Sequence, residues 1–380
     1  MNGAPLKIVH VIPALTKGGA EKVVVDLANQ GARAGHDVTV VAGFPVDPAL
    51  IQHTLLPAVT LKFVAPAGLP KLRPYLTIIP WLLRNWSWLR QADIVHAHLT
   101  FASIFATAVQ WTRRITGGTG PRTVETFHGV GMPIRPSQRS RAARLAQGRD
   151  GFVLMAEDAF WADFAAKHPR LPTAVIPNGI DTDMAPYDEA ERIAYRRMIG
   201  MPDSARVIGT IGRLRAERNP FATVAAFAEA AKRLPDDVHF IIGGDGPMTD
   251  AVRAEGNRLG LGERLHLPGL VIDPALAIAI MDVYVSMNVG AITGIAGLEA
   301  AAAGKPVIAL QARPGHIATD ADWIWSSEDP AAVGAEAARL LDDPAATSAL
   351  GESQRAHVTA HHSAATMARA YEAFYRRIGA

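Results

Sequence analysis

Short apolar runs of strand length alternate along this chain with longer segments of helical period, and partway through the pattern starts again. Such alternation constrains the fold more than any single residue does. A parallel strand must be preceded by a crossover, and crossovers cover both faces of the sheet, so each strand reads as a nearly continuous apolar run. In the first set the strand candidates are Lys7–Ile12, Val38–Ala42, Leu61–Val64, Asp93–Ala97, Thr123–Phe127, Phe152–Met155 and Thr173–Ile176, with helical segments such as Glu21–Arg33, Tyr75–Arg90 and Phe101–Arg114 between them. The second set has strands at Val207–Ile211, His239–Gly243, Leu265–Leu267, Val283–Ser286 and Val307–Leu310, and helices at Phe221–Leu234, Met248–Leu259 and Gly294–Ala303. Two sets imply two Rossmann-like α/β domains. The turn signal Pro177, Asn178, Gly179 closes the first set. The expected division is 1–178, 179–362 and a final amphipathic helix, 363–380, returning to the first domain.

Length agrees, since 380 residues exceed the roughly 100–200 of one domain. The absence of cysteine excludes disulfides, zinc–thiolate sites and thiol nucleophiles. The first residues lack a basic start followed by a long apolar run, and no stretch reaches the ~20 apolar residues of a spanning helix. The expected location is therefore cytoplasmic, with peripheral attachment to the inner face of the membrane left open. Net charge is only +2, yet residues 1–150 carry 17 Lys and Arg against 7 Asp and Glu, while 151–380 carry 21 against 29. The basic first half suits an anionic partner, whether phosphate, phospholipid or nucleic acid, although solvated arginine alone gives the same count.

Five motifs sit where strands end. Thr16 to Glu21 contains Gly18 and Gly19 just before a helix, where close backbone approach and unpaired N–H groups favour a phosphate; a tight strand–helix turn needs no more than this. Gly212, Arg213 and Arg218 follow another strand, and paired guanidiniums at such an edge can grip a diphosphate and stabilise it as it leaves. Gly243 to Pro247 is a glycine-rich turn centred on Gly244, able to admit a nucleotide or simply to reverse the chain. Gly294 to Val307 reads as a helix opened by Gly294 and stopped by Gly304, with Glu299 as a lone acid among alanines. A buried acid needs a partner, and a ribose diol or an internal ion pair would serve. His128 follows the strand ending at Phe127 and can donate to a sugar hydroxyl or a phosphate. His96 and His98 point the same way by strand alternation. With no third ligand evident in the sequence, packing is favoured over a metal there.

Taken in order, these segments resemble the retaining nucleotide-sugar glycosyltransferases of family 4, which have the GT-B fold. The resemblance rests on GGAE at 18–21, DIVHAH at 93–98, TFHG at 126–129, VIPNGID at 175–181, GRL and RN at 212–219, GDGP at 244–247, HLPG at 266–269 and LEA–AAGKPVIA at 298–309. It covers nearly the whole chain. It implies two Rossmann-like domains facing each other across a deep cleft, a UDP-sugar donor ahead of a GDP-sugar, and a glycan or lipid-linked acceptor. It implies no metal or other cofactor and no nucleic acid. By the same resemblance Gly18 and Gly19 face the donor diphosphate and His128 contacts the transferred sugar or its phosphate. Arg213 and Arg218 hold the diphosphate beside Gly212 and Gly244, the backbone near Leu270 holds the base, and Glu299 holds the ribose. Arg218 stands where the family usually has lysine. The first of the family's two spaced glutamates is replaced by Ala291. Asn288, Thr293 and the backbone amides of Gly290–Ile295, Gly294 among them, are the candidates to read the sugar instead.

Two basic segments suit an anionic membrane. Lys71–Arg90 places Tyr75, Ile79, Leu82, Trp86 and Leu89 on one helical face with Trp81 and Trp88 elsewhere, and Arg135–Arg149 carries five arginines. An ordinary sheet-packing helix accounts for the shared face of the first segment equally well. Two other functions fit the two-domain plan: a hydrolysing sugar-nucleotide epimerase, disfavoured by the GRL–RN and LEA–AAGKPV spacing, and a non-catalytic partner in glycan assembly, to which Ala291 lends weight.

Overall fold

The computed structural model describes residues 3–16, 18–45, 55–66, 74–129, 135–183, 186–288, 293–311 and 323–379. They form two compact units. One comprises the described residues up to Ile180 together with those from Ala364 onward, and the other runs from Asp181 to Ser363.

The first unit is built on β1 (Lys7–Ile12), α1 (Gly19–Arg33), β2 (Asp37–Ala42), β3 (Thr60–Phe63), α2 (Pro74–Leu89), β4 (Ile94–His98), α3 (Leu99–Ile115), β5 (Arg122–Phe127), α4 (Pro136–Ala146), β6 (Gly151–Leu154), α5 (Ala159–Lys167) and β7 (Thr173–Val175). Its seven strands are parallel in the order β3-β2-β1-β4-β5-β6-β7. Val9, Val11, Val95 and Ala97 pack with Phe101, Phe105, Ile78 and Leu82 on one face, while Ile12, Val38 and Val40 pack with Val24, Val25 and Ala28 on the other. Strand order reverses between β1 and β4. At such a switch point the following loops part in opposite directions and leave a crevice at the carboxyl edge.

The second unit contains α6 (Glu189–Met198), β8 (Arg206–Ile211), α7 (Pro220–Ala231), β9 (Val238–Gly243), α8 (Thr249–Arg258), β10 (Leu265–His266), α9 (Pro274–Ala279), β11 (Val283–Asn288), α10 (Ile295–Ala302), β12 (Val307–Gln311), β13 (Ser326–Ser327), α11 (Pro330–Asp342) and α12 (Pro344–His361). Its six strands are parallel, ordered β10-β9-β8-β11-β12-β13, with the switch point between β8 and β11. Helices α9, α11 and α12 each start at an Asp–Pro pair whose aspartate accepts hydrogen bonds from the first-turn amides.

The chain re-enters the first unit through α13 (Ala364–Arg377). The Ala364 amide donates to the Ile180 carbonyl, so the points of exit and return are stitched together. Met367, Tyr371, Phe374 and Tyr375 of α13 are buried in that unit.

Two expectations for the basic segments change. On α2 the buried residues are Ile78, Leu82 and Leu89, whereas Ile79 is exposed. Trp81 and Trp88 are drawn inward: Trp81 packs edge-on to Phe105 and Trp88 and donates its indole N–H to the Phe63 carbonyl. Of the expected face, Leu82 and Leu89 lie in the core and Tyr75 and Trp86 pack against it; only Ile79 points outward, while Ile78, Trp81 and Trp88 join the packed side. Arg149 is no surface residue either, since its side chain is wholly buried and paired with Glu125 at 2.8 Å. Only the other four arginines of Arg135–Arg149 remain available to an anionic surface.

Candidate functional site

In the second unit the predicted residues come from adjacent strand ends. After β8 the chain passes Gly212 and exposed Arg213, makes a single 3-10 turn over Ala216–Arg218, and enters α7 through Asn219 in the left-handed region (φ 44°) with Pro220 at the first helical position. This tight reversal folds Arg218 back towards β11, where its Nη1 donates to the Met287 carbonyl at 3.3 Å. Burial lowers the Arg218 pKa, with nearby Arg213 adding to the effect and Glu217 and Tyr284 opposing it. Neither Arg213 nor Arg218 forms an ion pair with an acid among the described residues, whereas most arginines of the same unit do. A desolvated guanidinium without an acid is a site for an anion.

Arg218 lies at the mouth of α10. A Cβ added at Gly294, which caps that helix, would stand 3.9 Å from Arg218 Nη1. The unpaired amides at the helix start therefore share their surroundings with the guanidinium, and both favour negative charge. One turn further along α10, Glu299 is buried at 8% exposure, near enough to Tyr284 to raise that phenol's pKa, which burial pushes up to about 12. Tyr284 was not singled out in the sequence. Its hydroxyl donates to the Ile211 carbonyl at 3.3 Å and accepts from the Ile211 amide at 3.2 Å, fixing the end of β8 from which the arginine loop departs. Thr293 is buried, and Asn288 closes β11. Residues 289–292, with Ala291, lie outside the described residues, as do 312–322.

The glycines of the turn after β9 have a definite task. A Cβ at Gly244 (φ 144°) would lie 2.0 Å from the Gly212 carbonyl, and one at Gly246 would lie 2.2 Å from that of Leu214. Backbone bonds from Gly212 N to Gly243 O and from Leu214 N to Asp245 O join the two loops, and Gly244 N donates to Gly269 O at 2.8 Å. Glycine is required here so that three loops can lie on one another. The stack holds the arginine loop in place and presents Leu270, 54% exposed, just beyond Gly269.

In the first unit Gly18 caps α1 and Gly19 is its exposed first residue; Thr16 donates to Glu21 beside them at 2.8 Å. Lys17 lies outside the described residues. His128 emerges from the same sheet edge two strands away, half-buried beyond the end of β5. It does not stand alone. Its Nε2 is 3.0 Å from His98 Nδ1, and His98 Nε2 is 3.3 Å from His10 Nδ1. His96, whose ring centroid lies 4.0 Å from that of His98, bonds Tyr375 through Nδ1 and Thr126 through Nε2, each at 2.7 Å. Burial lowers the pKa of all four, to about 4 for His10 and His128 and well below the ordinary imidazole value for His96 and His98, where the neighbouring imidazoles add to the effect.

His10 is the residue that sequence reasoning missed. It supplies the third imidazole of a group with His96 and His98 whose ligand atoms lie within 4.8 Å of one another. Only the sheet order reveals it, because β1 sets His10 directly against His96 of β4. Both nitrogens of His96 already have short hydrogen bonds, so a metal held by all three would displace Thr126 or Tyr375. The arrangement as it stands is a satisfied hydrogen-bond network.

Comparison with known proteins agrees with this architecture. The family described as Glycosyltransferase Family 4 matches residues 17–184, and that described as Glycosyl transferases group 1 matches residues 205–343. The chain is 27% identical over 189 residues to an alpha-monoglucosyldiacylglycerol synthase of Streptococcus pneumoniae, covering 47% of this chain and 42% of that one. It is 27% identical over 208 residues to a GDP-mannose-dependent alpha-(1-6)-phosphatidylinositol monomannoside mannosyltransferase of Mycobacterium tuberculosis, covering 52% and 53%. The chain thus spans about half the length of these curated relatives. Among solved structures, Anabaena Alr3699/HepE in complex with UDP-glucose superposes with a TM-score of 0.75 at 18% identity, over 98% of this chain and 100% of that one. That likeness establishes the GT-B fold.

Proposed function

Because the chain belongs to the family-4 glycosyltransferases, we propose that it moves a sugar from a nucleoside-diphosphate donor, UDP-sugar ahead of GDP-sugar, to a lipid-linked or glycan acceptor with retention of configuration. The observation that carries this is the partly buried Arg218 guanidinium, with no acid partner among the described residues, beside the capped start of α10. A leaving nucleoside diphosphate develops negative charge, and groups already oriented towards it lower the barrier without reorganising. In this reading Arg213 and Arg218 grip the diphosphate, Glu299 takes the ribose hydroxyls and the backbone by Leu270 takes the base. Gly18 and Gly19 offer amides to the diphosphate, and His128 contacts the sugar or its phosphate. The two cations and the α10 dipole neutralise the departing group, so the reaction as proposed needs no metal.

A thermal-shift screen over nucleotide sugars tests the donor. A bound ligand stabilises by RT ln(1 + [L]/Kd), about 2.7 kcal/mol at a hundredfold excess over Kd, so one UDP-sugar should stand out and then support transfer. If no nucleoside diphosphate or its sugar shifts the transition, the non-catalytic reading wins.

We also propose that the first unit rests on an anionic membrane to reach its acceptor. Leu76 and Leu83 of α2 are about three-quarters exposed, and Arg84 on the same helix and Arg90 just past its end are exposed. On α3, which packs on α2, Trp111 and Ile115 are exposed beside Arg114. Apolar side chains in water flanked by arginine suit the headgroup boundary. The two relatives above carry lipids in their names, which points the same way. Among the described residues no helix is long and apolar enough to cross a membrane. The chain should float with anionic vesicles at low salt, and Leu76→Glu with Leu83→Glu should release it. Equal flotation of the double variant would count against this surface.

A further inference from the structure

We propose that His98 and His10 are positioning residues that determine which nitrogen of His128 carries the proton, so that His128 presents an Nδ1–H to the donor. The inference rests on the reading of His128 as a donor contact. Its physical basis is independent of that reading and lies in the hydrogen-bond geometry of three imidazoles.

Burial keeps each ring neutral near pH 7, so each carries one proton. Two hydrogen bonds link them, between His10 Nδ1 and His98 Nε2 and between His98 Nδ1 and His128 Nε2. Each bond needs one N–H and one lone pair. Only two arrangements satisfy both. In the first, His10 Nδ1–H donates to His98 Nε2, His98 Nδ1–H donates to His128 Nε2, and the remaining proton of His128 sits on Nδ1. In the second every proton is on Nε2, and His128 Nδ1 is a lone pair. Any mixture sets two N–H groups or two lone pairs against each other at 3.0–3.3 Å in a buried site, a cost the protein avoids. The three tautomers therefore change together.

A phosphate oxygen only accepts hydrogen bonds, so a donor bound at His128 Nδ1 selects the first arrangement. That arrangement leaves a lone pair on His10 Nε2. His10 lines a cavity of about 250 Å³ between α1 and α13, which is roomy enough for water to satisfy it. Leu99, which follows His98, stands at φ 68°, a conformation costly for leucine, at the sharp elbow from β4 into α3. His96 stays outside the relay because Thr126 and Tyr375 occupy both its nitrogens.

The test combines ring nitrogen-15 NMR of the full chain, with and without UDP and UDP-glucose, with kinetics of two variants. His10, His98 and His128 should show the same tautomer, and all should be Nδ1-protonated when nucleotide is bound. His98→Phe should uncouple His10 from His128 and lower kcat on the order of tenfold to a hundredfold, with the donor KM changed by less than about threefold. His98→Gln should recover much of the loss, since its carbonyl can accept from His10 Nδ1–H while its amide donates to His128 Nε2. Opposite tautomers at His10 and His128 in the unaltered chain would overturn the proposal, as would equal activity of the Phe and Gln variants. If the tautomers agree but no nucleotide sugar is turned over, the relay stands and the transferase reading falls.

Discussion

Arg218→Ala should lower sugar transfer by about two to three orders of magnitude, the loss usual when a pre-oriented donor to a developing anion is removed, and should leave the fold at least as stable as before. The two halves of this result have one cause. In the ligand-free protein the Arg218 guanidinium is partly desolvated, with a single carbonyl bond to Met287 at 3.3 Å and no acid to pair with among the described residues. Holding a cation there costs folding energy, which a diphosphate bound as proposed would offset. Removing the cation relieves that cost and also removes the stabilisation of the leaving group. Arg213 is exposed, so its charge is screened and Arg213→Ala should cost roughly tenfold. Arg218→Lys should retain most activity, because the family usually places lysine at this position; the fork geometry is lost but the charge stays. Steady-state kinetics with the donor found by the thermal screen, alongside melting curves, measures both halves. A drop of several degrees in the unfolding temperature of Arg218→Ala would show the residue to be structural, and unchanged turnover would remove it from the site.

The second large effect concerns stability. Arg149→Met should destabilise the first unit by about 3–5 kcal/mol, whereas Arg149→Met combined with Glu125→Leu should recover most of the loss. Arg149 Nε donates to Glu125 Oε2 at 2.8 Å, its Nη1 to Gln110 Oε1 at 2.8 Å and its Nη2 to the Ser103 carbonyl at 2.6 Å. Glu125 also accepts from Ser103 Oγ at 2.7 Å. Losing the arginine leaves a buried carboxylate with one hydroxyl donor, an uncompensated charge far from water. Replacing both ions removes the charge together with its partner. In a unit of this size the single variant should shift the melting transition by roughly 6–20 °C, and the transition of the second unit should not move. A shift of the single variant below about 2 °C would mean that solvent reaches the network.

The strands were legible in the sequence because a buried parallel strand must be apolar throughout, a requirement that local composition records. Observed bounds differ from the expected ones by one or two residues at most strand ends, and by three at the end of the helix after β8, which stops at Ala231 before the polar pair Lys232 and Arg233. The Asp–Pro starts of α9, α11 and α12 and the Asp188–Glu191 capping box of α6 were readable signals for helices that periodicity did not pick out. The arginine loop, the glycine stack and α10 were equally visible, because each is a contiguous motif at the end of one strand.

The sequence by itself determined two α/β sheets, the order of the elements that periodicity marks and the residue types at each of their strand ends, since these follow from spacing and side-chain chemistry over a few neighbouring positions. Tertiary structure alone decided what those residues meet. It brought His10, His98 and His128 into one hydrogen-bonded line by seating β1 beside β4 and β4 beside β5, although the three lie far apart in the chain. It turned Arg149 inward onto Glu125, buried Ile78 of α2 and left Ile79 exposed. A short window of sequence specifies which face of an element is apolar. Which partner that face finds, and which charge is thereby stripped of water, depends on contacts between residues remote along the chain.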